Sequence, residues 1–396
     1  MIKAPVTLVA LGLWVAVVPG LHGQIAMLDR DLKDVQAWAR EDTNDLQRQY
    51  YLALAQWKRH HWQEADSLLR FVARTEPRYA EAYLALAYLP YARRPKLSEE
   101  EMRGRVPKEW RPAVEEARGF YERAFRTTPL VNLEVMGIEL QEPPTTRMSL
   151  TQFFVYERYF AWRVDLALGR YRAAYDRLTN LAQGGFHEAA HPDSVPDYIL
   201  WYRGLAAAHS QLYDAAIGDF RRLLDRALKQ QQRDEIVHVP LHDNEYRFML
   251  AALHQMAGHA DSAIALYQES LEHDLGLVMA HTYLAGIYEQ TGRAEDALLE
   301  RRRAVEENED DPAARADLAV SLLDTGHSHE AVVELYRAIN LNPRYATPYY
   351  LLGRAAELFS QPEQARDEYA QFLAHAPLRM QTLRADAQRR LDSLPK

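Results

Sequence analysis

The stretch Thr291–Val305, TGRAEDALLERRRAV, decides the fold because three other stretches share its layout. AGHADSAIALYQESL begins at Ala257, TGHSHEAVVELYRAI at Thr325 and FSQPEQARDEYAQFL at Phe359. Ala263, Ala297, Ala331 and Ala365 are therefore spaced by 34 residues each time. Thirteen residues before each alanine stand Leu250, Leu284, Leu318 and Leu352, followed directly by Ala251, Ala285, Ala319 and Gly353. Gly258, Gly292 and Gly326 precede the alanine by five, with Ser360 in the last copy, and Tyr267, Arg301, Leu335 and Tyr369 follow it by four. Two copies close on Pro343 and Pro377. Self-similarity at such a period marks a stacked repeat. Small residues let two antiparallel helices approach, glycine supplies the turn between them and proline stops the second helix. One pair cannot bury its apolar face alone, so neighbours must stack.

The pattern extends backwards through Ala216, Ala174, Ala117 and Ala65, giving eight units. Their spacings of 52, 57, 42 and 47 exceed the ruler, so extra residues fall around Pro90 to Pro112, Val131 to Leu150, Gly184 to Pro196 and Lys229 to Asp243. Over residues 45–377 these positions resemble the tetratricopeptide repeat family. The resemblance implies an all-α superhelix of about eight helix pairs: an N-terminal cap at 27–45, irregular repeats at 46–243, four regular repeats at 244–377 and a C-terminal cap at 378–396. In that last segment Leu383, Ala387, Leu391 and Leu394 make one apolar stripe. Gly104, Ala161 and Arg203 stand where the ruler asks for leucine, whereas the first unit keeps Leu52 and Ala53. The large aromatic usual near the start of a repeat is replaced by Gln49 and Arg158 early and by Arg247, His281 and Arg315 late; Tyr349 fits.

A net charge of -9 over 396 residues, with a pI near 5.9, argues against nucleic acid as main ligand, since phosphate binding needs a concentrated basic face. Arg301, Arg302 and Arg303 read as a solvated helix face, with Glu306 and Glu307 four residues beyond the last two. Lys3, the uncharged run from Ala4 to Val18, then Pro19-Gly20 and small or polar residues to Ala26 have the pattern of a secretory signal. The expectation is export, to a periplasmic or extracellular location, with residues 1–26 cleaved or kept as an N-terminal anchor. The absence of cysteine excludes disulfides and thiol catalysis.

GGFHEAAHPD contains His187, Glu188 and His191 in an HExxH arrangement. On a helix both histidines could bind zinc while the glutamate served as general base. Gly184, Gly185 and Pro192 leave at most about two turns of helix there. A zinc peptidase is therefore kept as an alternative, with Asp193 or Asp197 as third ligand. The other histidines read as surface or turn residues, and no cofactor is expected. No phosphate loop, dinucleotide glycine pattern or Gly-x-Ser-x-Gly elbow occurs.

The resemblance also implies that the first helix of each pair lines the concave face, where partners bind. The register places Tyr50, Trp57, Tyr156, Tyr159, Tyr198, Trp201, Phe248, Thr282, Tyr283 and Tyr350 on or near it. Such a wall suits a peptide and, less often, a sugar ring. The Lys and Asn clamp that some members use for C-terminal carboxylates is missing: Phe248 with Ala252, Thr282 with Gly286, Ala316 with Val320 and Tyr350 with Arg354 stand there. The sequence thus points to a non-catalytic scaffold for a protein or peptide partner in the cell envelope. A carbohydrate-binding module in polymer export is the other alternative.

Overall fold

The computed structural model describes residues 28–100, 106–138, 161–185, 195–231 and 243–395, except 29, 95, 98, 99, 134, 136, 137 and 275. The proposed signal segment, the HEAAH histidines His187 and His191 with Glu188, and Tyr156 and Tyr159 lie outside the described residues. Among the described residues there is no strand. The helices are α1 (Leu32–Glu41), α2 (Leu46–Lys58), α3 (Trp62–Thr75), α4 (Ala80–Arg93), α5 (Arg111–Thr127), α6 (Ala161–Ala167), α7 (Tyr171–Asn180), α8 (Asp197–His209) and α9 (Tyr213–Gln231). They continue with α10 (Asp243–Met256), α11 (Ala260–His273), α12 (Val278–Gln290), α13 (Ala294–Glu307), α14 (Pro312–Asp324), α15 (Ser328–Leu341), α16 (Ala346–Leu358), α17 (Pro362–His375) and α18 (Gln381–Ser393). Contacts divide them into two compact units, one holding α1 to α11 and the other α12 to α18 with the short segment Asp42–Asp45. The division falls after Asp274, one regular repeat later than the change of spacing.

Consecutive helices from α2 to α17 pack as eight pairs, and the ruler alanine of every pair, from Ala65 to Ala365, is buried. The small residue on the first helix has an equally direct cause. A Cβ on Gly353 would lie 2.6 Å from the Tyr369 ring, and one on Gly204 would lie 2.8 Å from Phe220. Both contacts are closer than carbon atoms tolerate, so the helices of these pairs cross where a side chain is missing.

Seven of the eight pairs turn in one way. The N–H of His61, Arg170, Leu212, His259, Arg293, His327 and Gln361 donates to the carbonyl five residues earlier at 2.7 to 3.0 Å. The residue before each donor has positive φ: His60, Gly169, Gln211, Gly258, Gly292, Gly326 and Ser360. This is the Schellman closure, in which a left-handed residue lets the chain reverse while satisfying helix-end carbonyls.

The eighth pair corrects one sequence expectation. Counting back from Ala117 put Gly104 at the leucine place, but the first helix of that pair is α4, packed on α5, with residues 94–110 inserted between the two. The leucine place belongs to Leu86, buried beside Ala87. The signal lay in Pro77-Arg78-Tyr79-Ala80, which matches Pro343-Arg344-Tyr345-Ala346 at the entry to α16.

Several other departures from the ruler are met by polar contacts. Arg203, at a leucine place, makes a two-pronged contact with buried Asp219 on α9 at 2.8 and 2.5 Å. Where the large aromatic is missing, Arg247 bonds Glu269 at 2.8 Å, His281 bonds Glu300 at 2.6 Å and Arg315 bonds Glu334 at 2.7 Å. Each joins the first helix of a pair to the second, so a polar contact does the joining that ring packing does at Tyr349, which stacks on His375 at 5.4 Å.

Within the α12 to α18 unit, Asp42 accepts a hydrogen bond from Leu378 N–H at 2.7 Å and Asp45 pairs with Arg379 at 3.3 Å. The cap α18 is held to α16 by polar side-chain contacts. Tyr350 donates to Asp386 at 2.7 Å, and Arg390 reaches Asp386 at 2.6 Å and Glu357 at 2.7 Å. Tyr369 donates to the other Glu357 oxygen at 3.0 Å.

Candidate interaction face

The first helices of successive pairs within a unit share one face. In the α12 to α18 unit this is seen in hydrogen bonds that skip the intervening helix: Ser321 on α14 donates to Glu289 on α12 at 3.0 Å, and Tyr350 on α16 donates to Asp386 on α18. Glu289 also accepts from Arg301 at 3.2 Å, and Arg301 reaches Asp317 at 3.3 Å. Burial, reinforced by Glu289, raises the Asp324 carboxyl above its ordinary value. In this unit the face carries polar groups mostly paired with one another.

The expected aromatic wall is much smaller than the register implied. Tyr50, Trp57, Trp201 and Phe248 have at most 1% of their surface exposed and fill the core. Trp201 is the centre of an aromatic cluster, edge-on to Phe125 at 5.0 Å, Phe220 at 5.4 Å and Tyr246 at 6.0 Å. Phe248 meets Tyr267 at 5.9 Å and Tyr50 meets Tyr51 at 5.5 Å. Tyr350 is buried against Phe372, with its hydroxyl committed to Asp386. Thr282 turns its hydroxyl back to the Val278 carbonyl at 3.2 Å. Of the described members of the wall, Tyr198 is 42% exposed and Tyr283 is half-buried; both keep surface for a partner. Rings on close-crossing helices lose their surface to the neighbouring helices.

An outward apolar ridge was missed by the sequence reading. Leu299 on α13 and Val333 on α15 are 46% and 48% exposed, with Tyr336 beside Val333 on α15 at 39%. Tyr336 donates to Glu368 at 3.1 Å and accepts from Gln364 at 3.0 Å, so its ring is held in place. The signal was present: Leu299 and Val333 stand two residues after the ruler alanine, 34 apart, where the fourth copy has Asp367. No helix among the described residues is long and apolar enough to cross a membrane.

Eight helix pairs, seven of them closed by the same turn, define an α-helical repeat protein. Residues 245–349 match the family model described as tetratrico peptide repeat. Among solved structures it is similar to MamA, at 17% identity over 43% of this chain and 93% of that one, with a TM-score of 0.37. The C-terminal part of a tetratricopeptide repeat-containing protein from Cytophaga hutchinsonii is similar at 16% identity, covering 52% of this chain and 74% of that one, TM-score 0.41. MamA from Desulfovibrio magneticus RS-1 is similar at 11% identity over 45% and 93%, TM-score 0.37. No curated protein matches the chain.

Proposed function

We propose that this chain is a non-catalytic scaffold that binds an extended peptide or protein segment along the face formed by the first helices, and that it works in the cell envelope. The observation that carries the reading is the repeat itself: within the α12 to α18 unit the first helices of successive pairs share a polar face, and residues 245–349 match a family built on such repeats. Tyr198 and Tyr283 are the residues we assign to partner contact, because they alone of the described aromatic set keep surface and combine a large ring with a polar tip. Export rests on the Lys3 and Ala4 to Val18 pattern of the sequence.

Crosslinking and affinity capture from the envelope fraction, comparing wild type with Tyr198→Ala and Tyr283→Ala, tests this. A partner captured by wild type and lost in either variant supports the reading. Equal capture by all three moves binding to the Leu299, Val333 and Tyr336 ridge, and recovery of the chain with the cytosolic fraction overturns the envelope assignment.

A further inference from the structure

The turn between α10 and α11 contains a pair of side chains unlike those at the other turns. At three other turns the five-residue span closed by the backbone hydrogen bond brings together two side chains that are complementary. Gln56 meets His61 at 2.7 Å, Asp165 meets Arg170 at 3.0 Å, and Arg293 lies 4.2 Å over the Tyr288 ring. At the α10–α11 turn both are histidines, and His254 Nδ1 and His259 Nδ1 face each other at 3.3 Å. That separation is at the long end for a hydrogen bond between the two rings. It does match two ligands of one ion: nitrogens about 2.0 to 2.1 Å from a tetrahedral zinc are about 3.3 to 3.4 Å apart.

We propose that His254 and His259 bind a zinc-class transition-metal ion through their Nδ1 atoms, clipping the end of α10 to the start of α11. His259 is exposed and His254 half-buried, so the ion is reached from solvent and its remaining positions take water or a carboxylate from outside. Metal binding requires neutral imidazole. Burial, His259 and Arg221 lower the pKa of His254, while Asp214 raises it. Asp214 and Arg221 both lie on α9, so the site has one acidic and one basic neighbour from that helix. Gly258, at φ +81°, fixes the spacing by holding the turn that carries both rings.

The test is titration of the full chain with zinc chloride, followed by calorimetry and by thermal unfolding, with His254→Gln, His259→Gln and the double variant His187→Ala, His191→Ala as comparisons. Glutamine keeps a hydrogen-bonding group at the turn, and helicity measured by circular dichroism confirms that each variant folds. The proposal expects one binding event that weakens at least tenfold in each of His254→Gln and His259→Gln and persists in the His187, His191 variant. It also expects a zinc-induced rise in melting temperature that both glutamine variants abolish. A titration unchanged in the glutamine variants, or lost only in the His187, His191 variant, overturns it. Cobalt binding that gives no intense tetrahedral absorption in the wild type overturns the coordination geometry.

Discussion

At the scale of the residue, the left-handed turn positions separate cost from tolerance. Three of the seven turns place His60, Gln211 and Ser360 where glycine carries no penalty. A side chain in that conformation costs about 1 to 2 kcal/mol, so Ser360→Gly is expected to stabilise the α12 to α18 unit by about 1 kcal/mol and Gly292→Ala to destabilise it by a similar amount. Urea denaturation monitored by circular dichroism checks both signs. His209 gives a second residue-level expectation. Its ring stacks on Tyr171 at 4.0 Å, and burial depresses its pKa from 6.5 to about 4, partly opposed by the Val131 carbonyl. The unfolded chain then takes up a proton before the folded chain does, so stability is intact above about pH 6.5 and falls as the pH drops towards 4. The loss reaches about 3 kcal/mol. In His209→Phe the difference in unfolding free energy between pH 7 and pH 4 should shrink by that amount; an unchanged difference would remove His209 as the cause.

At the scale of the element, charged contacts replace packing at named ruler positions, and each is a liability when halved. Arg203→Leu restores the residue the ruler asks for yet leaves Asp219 buried without its main partner, which costs about 3 to 5 kcal/mol. Adding Asp219→Leu should recover most of that loss, because an apolar pair can substitute for a buried ion pair. Equal stability of the single and double variants, measured by denaturant midpoint, would show that Asp219 finds another partner. These contacts also mark how far the sequence was legible. Alanine and glycine positions were readable because steric contact with the facing helix or the turn admits little else, and Ala65 to Ala365 all proved buried. The aromatic wall was misread because a ring at a given register turns inward or outward according to the crossing of the neighbouring pair, which a period does not encode. Trp201 and Tyr198, three residues apart on α8, end with opposite exposures for that reason.

At the scale of the whole molecule, the ends of the array carry different requirements from its middle. α18 buries Ala387, packs Leu383 and Leu391 partly against the core and presents polar groups on its other side, while Tyr350, Tyr369 and Phe372 beneath it are buried. Ending the chain after Ala376 removes Asp386 and Arg390 from Tyr350 and Glu357 and uncovers that apolar surface. The expected result is a lower melting temperature and self-association by analytical ultracentrifugation; a monomer of unchanged stability would show that the cap is dispensable. The number of units was legible from the alanines, but the site of the first insertion was not. Counting assumed that added residues fall between pairs, whereas residues 94–110 separate two helices of one pair, and only the repeated Pro-Arg-Tyr-Ala entry distinguishes the two cases.

The seven turns close through main-chain atoms, and the two side chains that flank each of them take no part in the closure. Such a joint is indifferent to what decorates it, so those flanking positions can drift between amide, ion, ring and imidazole while the helices stay in register. For a protein engineer this makes each turn a graft point: a reactive or fluorescent pair moved from one joint to the next would travel one repeat along the array with the backbone left as it was.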